Sequence, residues 1–228
     1  MINNLQAVIL AGGKGTRLLN LTKEMPKAMI DVNGRPFIEI LINQLKKKGI
    51  KKFLILAGYK KKKILDYFKD RKNIKVFMGY DHWQTLTRIR KAKSQISSNF
   101  LLMYCDNYLI NFNINRQINL FKKKNSDIVL SLVKKKIGQK GAVIIKKNKA
   151  LYKKGILSNY TEAGYMLANK RSFFNYGSKL SEKKKDLSFV LEACSKNNKL
   201  DYIDYDDKYL CIENKKFLSQ TKKYLKKK

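Results

Sequence analysis

Apolar residues along this chain follow two alternating rhythms, short continuous runs and longer stretches spaced at three and four residues. The first run, residues 6–10 (QAVIL), ends in glycines, as a strand buried on both faces of a parallel sheet does. Pro36 then opens PFIEILINQLKKKG, in which Phe37, Ile38, Leu41, Ile42 and Leu45 share a helical face and Gly49 supplies the stop. KKFLILAGY predicts the next strand, KKILDYFKD a short helix and NIKVFMGY a third strand. Residues 85–97 predict a basic amphipathic helix with Leu86, Ile89, Ala92 and Ile96 inward. NFLLMYCD predicts a fourth strand ending on Asp106, followed by a helix at 114–124 and a strand at 127–134.

Strict succession of strand and helix predicts an α/β fold: a Rossmann-like, mostly parallel twisted sheet with helices on both faces. Beyond residue 138 the pattern loosens. GAVIIKKNKALYKKG predicts a hairpin, EAGYMLA a strand and DLSFVLEACSK an amphipathic helix. LDYIDYDD and YLCIE predict short strands, and NKKFLSQTKKYLKKK a C-terminal helix. No linker or repeat interrupts this order. The expectation is one domain over 1–228, with a nucleotide-binding half at 1–137 and a substrate-binding half at 138–228.

Charge changes the picture less than its size suggests. The 228 residues carry 51 Lys+Arg against 17 Asp+Glu, a formal charge of +34. With 44% hydrophobic and 11% aromatic residues the chain is no disordered polycation. Only seven of the basic residues are Arg, the side chain that reads bases bidentately. The lysines come in short runs, several at predicted helix ends, where cations suit the helix dipole and stay in water. A solvated basic surface that attracts small anions is favoured over a nucleic-acid groove. No apolar run approaches the roughly 20 residues of a membrane span, and the N-terminus lacks a signal-peptide pattern, so a cytoplasmic protein without membrane contact is expected. Cys105, Cys194 and Cys211 form no zinc or CxxC pattern, which fits a reducing compartment. A single histidine, His82, sets aside chemistry that needs a His cluster.

The informative stretch is residues 7–31, AVILAGGKGTRLLNLTKEMPKAMID. Gly12, Gly13 and Gly15 follow directly on the first strand, at the carboxyl edge where open α/β sheets bind ligands. Glycines there let backbone N–H groups approach a nucleotide and form an anion nest. Thr16 and Arg17 add a hydroxyl and a forked cation for phosphate oxygens. A bare GGxG could equally be a plain strand-to-helix turn, and it is neither a Rossmann GxGxxG nor a P-loop. Pro26-Lys27 then places a second cation on a stiffened loop, since Pro26 fixes its own φ and pushes Met25 towards extended geometry.

Leu10 to Leu18, Pro26-Lys27 and Pro36 together resemble the sugar-1-phosphate nucleotidyltransferases, whose pattern is a strand, LAGGxGTRL, PK and a helix near a further Pro. In length the chain is most similar to the heptose-1-phosphate guanylyltransferase-like members. The resemblance implies that Leu10, Ala11, Gly12 and Gly13 hold base and ribose, with Gly15 and Thr16 in the same nucleotide loop. It implies that Arg17 meets the β and γ phosphates, and that Lys27 neutralises charge at the α-phosphate and the incoming sugar phosphate. Asp106 would bind Mg²⁺, which prefers oxygen ligands; its bland alternative is a turn or helix-capping acid, with Asn107 beside it. The implied reaction joins an NTP and a sugar 1-phosphate into an NDP-sugar and pyrophosphate, for surface-polysaccharide precursors. The attacking phosphate oxygen is already anionic, so positioning and electrostatics suffice and no histidine base is needed.

Three positions depart from the family pattern. Family members often carry Gly-Thr-Gly-Gly or Gly-Thr-Ala-Gly before the helix leading to the Asp strand. Here Trp83-Gln84-Thr85-Leu86-Thr87-Arg88 stands there, leaving Gln84 or Thr85 to touch the base. The second metal carboxylate aligns with Cys211, with Glu213 two residues on as its replacement. The sugar-site asparagine before Ala-Gly is Glu162, ahead of Ala163 and Gly164, and a carboxylate there accepts paired hydrogen bonds from hydroxyls. The family's Glu-Lys pair has no clean counterpart, with Lys153 and Lys154 as weak candidates. Two rivals stay open: a cytidylyltransferase for a non-sugar phosphate such as phosphocholine, and a catalytically weak scaffold that binds nucleic acid. A homo-oligomer is compatible with any of these readings.

Overall fold

The computed structural model describes residues 2–18, 20–134, 141–178, 186–205 and 209–227. The proposed boundary at 137/138 lies outside the described residues, as do Lys135, Lys136, Lys183 to Lys185 and Lys228 of the lysine runs. In chain order come β1 (Gln6–Ala11), α1 (Asn20–Lys23), a ribbon of β2 (Asp31–Val32) and β3 (Arg35–Pro36), α2 (Phe37–Lys47) and β4 (Lys52–Ala57). Then follow α3 (Lys61–Phe68), β5 (Ile74–Met78), α4 (Thr85–Lys91), β6 (Asn99–Tyr104), β7 (Asn107–Leu109), α5 (Ile114–Lys124) and β8 (Ile128–Lys134). The second part holds β9 (Val143–Lys146), β10 (Lys149–Tyr152), β11 (Tyr160–Asn169), α6 (Lys170–Ser178), α7 (Ser188–Lys196), β12 (Leu200–Tyr205), β13 (Tyr209–Cys211) and α8 (Lys215–Lys226).

The main sheet runs β10-β9-β11-β6-β1-β4-β5, with β8 also beside β11 and β12 beside β8. β1 lies at its centre, parallel to β4 and β6, with Val8 opposite both Leu54 and Leu102. β4–β5 and β8–β12 are also parallel, whereas β11 runs antiparallel to β6 and β8. Alternation along β1 sends Ala7, Ile9 and Ala11 into one apolar layer with Phe37, Leu41, Ile64, Ile118 and Leu218 from α2, α3, α5 and α8. Val8 goes into the opposite layer with Leu86, Ile89, Phe173, Val190 and Leu191 from α4, α6 and α7. Both faces are therefore covered, which is why β1 reads as a continuous apolar run.

Local chemistry sets the ends of these elements. Gly49, at φ +89°, follows α2. Asn113 caps α5 by accepting from the N–H groups of Asn115 (3.0 Å) and Arg116 (3.4 Å), and Asn125 closes that helix in the left-handed region. Two boundaries differ from the sequence reading. The helix expected over 85–97 is α-helical only to Lys91 and continues as a 3-10 turn, although Leu86, Ile89, Ala92 and Ile96 are all buried as expected. The strand expected to end on Asp106 stops at Tyr104, so Asp106 sits in the turn between β6 and β7.

β7 pairs with β13, setting Cys211 opposite Asn107, and the Ile212 N–H donates to the Asp106 carbonyl at 3.0 Å. Helix α8 anchors this ribbon through the buried Thr221 hydroxyl, which donates to the Cys211 carbonyl at 2.9 Å. A late segment of the chain is thus tied to the turn at the end of β6.

The α5 cap gives a stability prediction. Asn113→Ala should lower unfolding free energy by about 1 kcal/mol in urea denaturation while leaving the circular dichroism spectrum unchanged. No loss of stability would show that the two N–H groups find other partners.

Candidate active site

A cleft of about 820 Å³ opens at the carboxyl edge of β1 and β6. Leu10, Gly12, Gly13, Lys14, Gly15, Thr16 and Arg17 form one wall, Asp81, Trp83, Gln84, Thr85 and Arg88 another, and Lys27, Tyr104, Cys105, Asp106, Asp186 and Glu213 the remainder. This is the size of a small-molecule site, and it lies where strand order places ligands in open α/β sheets.

The glycine loop folds over Lys27. Gly15 has φ +67°, and a Cβ there would stand 2.9 Å from Lys27 Cβ and 3.1 Å from Thr22 Cγ2. The Thr22 hydroxyl holds the loop by donating to the Gly15 carbonyl at 3.1 Å. Pro26 is extended, at φ −69° and ψ 149°, and leads into a 3-10 turn at Lys27–Met29. These constraints aim Lys27 across the cleft, where its Nζ lies 2.6 Å from Asp106 Oδ2. At the mouth, Arg17 pairs with Glu213. Arg17 is 72% exposed and Lys27 only 15%, so the first cation is solvent-screened and the second is largely sheltered.

The carboxylates of Asp106 and Glu213 are hard oxygen donors that suit Mg²⁺. Cys211 does not suit it: burial first, and Asp106 second, push its thiol up to about 11. Cys105 is pushed up to about 12 by the same two causes in the same order. Among the described residues, no group of three or more His, Cys, Asp and Glu side chains gathers as a metal cluster. An ion bound here would therefore have two protein carboxylates at most and would need phosphate and water oxygens.

The second wall holds a feature the sequence reading missed. Arg88 is 4% exposed, and its guanidinium lies against three glycines. A Cβ on Gly12 would fall 2.2 Å from Arg88 Nε, and Cβ atoms on Gly58 and Gly79 would each fall 2.7 Å from Nη1. Nη1 donates to the Ala57 carbonyl (3.1 Å) and the Tyr80 carbonyl (3.0 Å), and Nη2 to the Trp83 carbonyl (2.8 Å). One cation thereby joins the end of β4 to the loop that leads into α4. Three glycines just after β1, β4 and β5 were the available signal, each at a strand end and each without a side chain.

Leu10, Gly12, Gly13, Gly15, Thr16, Arg17, Lys27, Gln84, Asp106 and Glu213 all line the cleft. Ala11, Asn107, Glu162 and Gly164 do not; Ala11 is buried in the sheet core. Asn107 donates from Nδ2 to the Ala163 carbonyl at 3.2 Å. Gly164, at φ +78°, occupies the point where the register of β11 against β8 shifts, and a Cβ there would stand 2.6 Å from Tyr104 Cδ2. Glu162 stands behind Tyr104, whose hydroxyl donates to Oε1 at 3.2 Å. Lys153 is exposed, whereas Lys154 pairs at 2.8 Å with Asp186, which lines the cleft. Asp81, Tyr104 and Asp186 are further lining residues that the motifs did not point to.

Fold and cleft together define a class, α/β proteins with a glycine-loop cleft at the carboxyl sheet edge. Within it, residues 6–207 match the Nucleotidyl transferase family, and the chain belongs to that family. Over 66 residues it is 47% identical to the D-glycero-alpha-D-manno-heptose 1-phosphate guanylyltransferase of Campylobacter jejuni, covering 29% of this chain and 30% of that protein. Over 127 residues it is 33% identical to the UTP–glucose-1-phosphate uridylyltransferase AglF of Haloferax volcanii, covering 54% and 51%. The matched stretch thus spans between about a quarter and a half of the length of such curated relatives. In fold the chain is similar to HddC from Yersinia pseudotuberculosis complexed with GMP-PN, with a TM-score of 0.78, 22% identity, and 97% and 99% of the two chains covered. No helix among the described residues is long and apolar enough to cross a membrane.

Burial raises the pKa of Glu162, opposed by hydrogen bonds from the backbone and Tyr104. The unfolded chain therefore loses this proton first, and stability falls as pH rises above the ordinary glutamate value of 4.5. Glu162→Gln should become progressively more stable relative to wild type as thermal melts move from acid towards neutral pH. A pH-independent difference between the two would place the carboxyl in a water-like environment.

Proposed function

We propose that this protein joins a nucleoside triphosphate to a sugar 1-phosphate, releasing pyrophosphate and an NDP-sugar of the kind that supplies surface polysaccharides. The observation that carries this reading is Lys27 held against Asp106 across the mouth of the glycine loop. A cation and a metal-competent carboxylate face each other where the resemblance expects the α-phosphate.

The two ion pairs set a cation beside a carboxylate at two points of the cleft. A triphosphate draws Arg17 to its β and γ oxygens and Lys27 to its α oxygens, which leaves the Asp106 and Glu213 carboxylates for Mg²⁺. Held by those two carboxylates, Mg²⁺ would supply charge neutralisation for phosphate oxygens. The Gly12 to Gly15 backbone holds the nucleotide, Gln84 stands at the base, and Lys27 turns its charge towards the incoming sugar phosphate. That phosphate oxygen attacks the α-phosphorus in line, and the bond to the bridging oxygen of pyrophosphate breaks. Because the nucleophile arrives ionised, the residues orient and neutralise without moving a proton. Asn107, Glu162 and Gly164 act on the sugar side only through Tyr104, which lines the cleft: Glu162 Oε1 accepts from its hydroxyl, and Gly164 leaves room for its ring. Surplus lysines add a long-range attraction for polyanions, so kcat/KM should fall with salt beyond what competition with Mg²⁺ explains.

The test is pyrophosphate release with each NTP against a panel of sugar 1-phosphates and phosphocholine. Turnover is expected with a sugar 1-phosphate and Mg²⁺, and chelation should abolish it. Arg17→Ala, Lys27→Ala and Asp106→Ala should each lower kcat/KM by about 100-fold or more. Turnover with phosphocholine alone would move the substrate class. Silence with every pair, joined to salt-sensitive RNA or DNA binding, would overturn the enzyme reading.

A further inference from the structure

Among the described residues, two aromatic side chains line the cleft, Tyr104 and Trp83. Tyr104 stands two residues before Asp106 and is committed to Glu162, to which its hydroxyl donates at 3.2 Å. Trp83, the single tryptophan of the chain, is half-buried on the other wall. Its ring rests against Tyr80 (5.0 Å between centroids, 75°) and Phe77 (6.5 Å, 24°), and a Cβ on Gly79 would come 3.0 Å from its Cε3. The backbone beneath it is a turn, closed by the Trp83 N–H donating to the Tyr80 carbonyl at 3.2 Å.

Arg88 grips both ends of that turn, donating to the Tyr80 carbonyl from Nη1 and to the Trp83 carbonyl from Nη2. Nη1 also reaches the Ala57 carbonyl, and the Nε side packs on Gly12, so the turn is registered against the ends of β4 and β1. The Ala57 and Tyr80 carbonyls have second donors in the Gly79 and Trp83 N–H groups, at 3.0 Å and 3.2 Å. Loss of the guanidinium would therefore fall on Trp83 more than on the sheet. Buried and turned to carbonyls, this cation is not placed for phosphate. What it holds up to the cleft is the indole.

We propose that Trp83 is the surface on which the nucleobase packs, and that Arg88 is the positioning residue that holds it there. In the proposed reaction the phosphates lie between Arg17 and Lys27 and the sugar lies by Tyr104, which leaves the base for the Trp83 wall. Every base has a π face, so an aromatic platform selects nucleotides over other phosphates and not one base over another. This inference rests on reading the cleft as a nucleoside-triphosphate site.

Because the chain has one tryptophan, its fluorescence reports on the site directly. Each of GMP, UMP, CMP and AMP should change that emission saturably, whereas inorganic pyrophosphate and ribose 5-phosphate should leave it unchanged. Trp83→Leu should weaken nucleotide binding in calorimetry about tenfold, and Trp83→Phe should recover most of the loss. Arg88→Ala should weaken binding by a similar factor and expose Trp83 to quenching by acrylamide, and millimolar guanidinium should reverse both changes. Where turnover is measured, that variant should raise KM for the NTP while kcat stays within about twofold. Arg88→Lys, which keeps the charge without the fork, should behave alike. With Arg88→Ala and Trp83→Leu combined, the loss should not exceed that of Trp83→Leu alone. Full affinity in Trp83→Leu or in Arg88→Ala would overturn the proposal. So would additive losses in the double variant, since they mark Arg88 as acting on the whole wall. Loss of the cooperative melt in both Arg88→Ala and Arg88→Lys would overturn the positioning role, because a local clamp is not required for folding. The two readings fail separately: nucleotide-dependent Trp83 emission without turnover leaves this assignment standing and removes the sugar 1-phosphate reaction.

Discussion

The contact between Lys27 and Asp106 joins segments 79 residues apart and orders everything around the cleft. On one side it requires the glycine loop to fold back on Lys27, which Gly15 permits by its left-handed backbone and missing Cβ. On the other it requires the turn after β6 to stay in place. That turn is held by the β7–β13 ribbon and the Ile212 to Asp106 hydrogen bond. The ribbon in turn depends on α8, through Thr221. Elements from the beginning, middle and end of the chain thus converge on one sheltered cation and one carboxylate. A half-buried pair of this kind is a poor source of net stability, because desolvation offsets much of the attraction. In the proposed reaction its value would be the placement of two groups for phosphate and metal.

Arg88 plays the corresponding role on the opposite wall. A lysine could not replace it, because a single ammonium cannot serve three carbonyls spread over a planar fork. The glycines at positions 12, 58 and 79 look unrelated in the sequence, yet they meet around one guanidinium. Two of the seven arginines, Arg17 and Arg88, thus sit differently at the cleft, one paired with Glu213 at the mouth and one buried on three carbonyls.

Most of the architecture was legible because each element states its burial in its own rhythm. The β1 run, the α2 stripe and the α5 helix with its asparagine cap all appear where their periodicity puts them. The β2–β3 ribbon went unread although Asn33-Gly34, with φ of +56° and +84°, is a strong hairpin signal. Helix α6, KRSFFNYGS, was missed because Phe173 and Phe174 sit side by side and leave no clear stripe. That the glycine loop, Lys27 and Asp106 line one cleft was legible because their motifs are contiguous or follow directly on an apolar run. Arg88 was not, since a basic residue on an amphipathic helix reads as solvent-facing. Only the tertiary meeting of three strand ends shows that it points inward. Glu162, read as a sugar-site residue, accepts from the Tyr104 hydroxyl and does not line the cleft, and no sequence pattern showed the register shift beside it.

The two sulfurs near Asp106 have a consequence for the chemistry of the cleft. Cys105 and Cys211, held at about 12 and 11, carry almost no thiolate at neutral pH. Thiolates, not thiols, attack electrophiles, enter the oxidation ladder and capture soft metals. A neighbouring carboxylate thus does more than await a hard cation: its negative charge helps keep both sulfurs protonated. Burial first and the carboxylate's charge second thus keep both sulfurs in the thiol form, the weaker ligand and the poorer nucleophile.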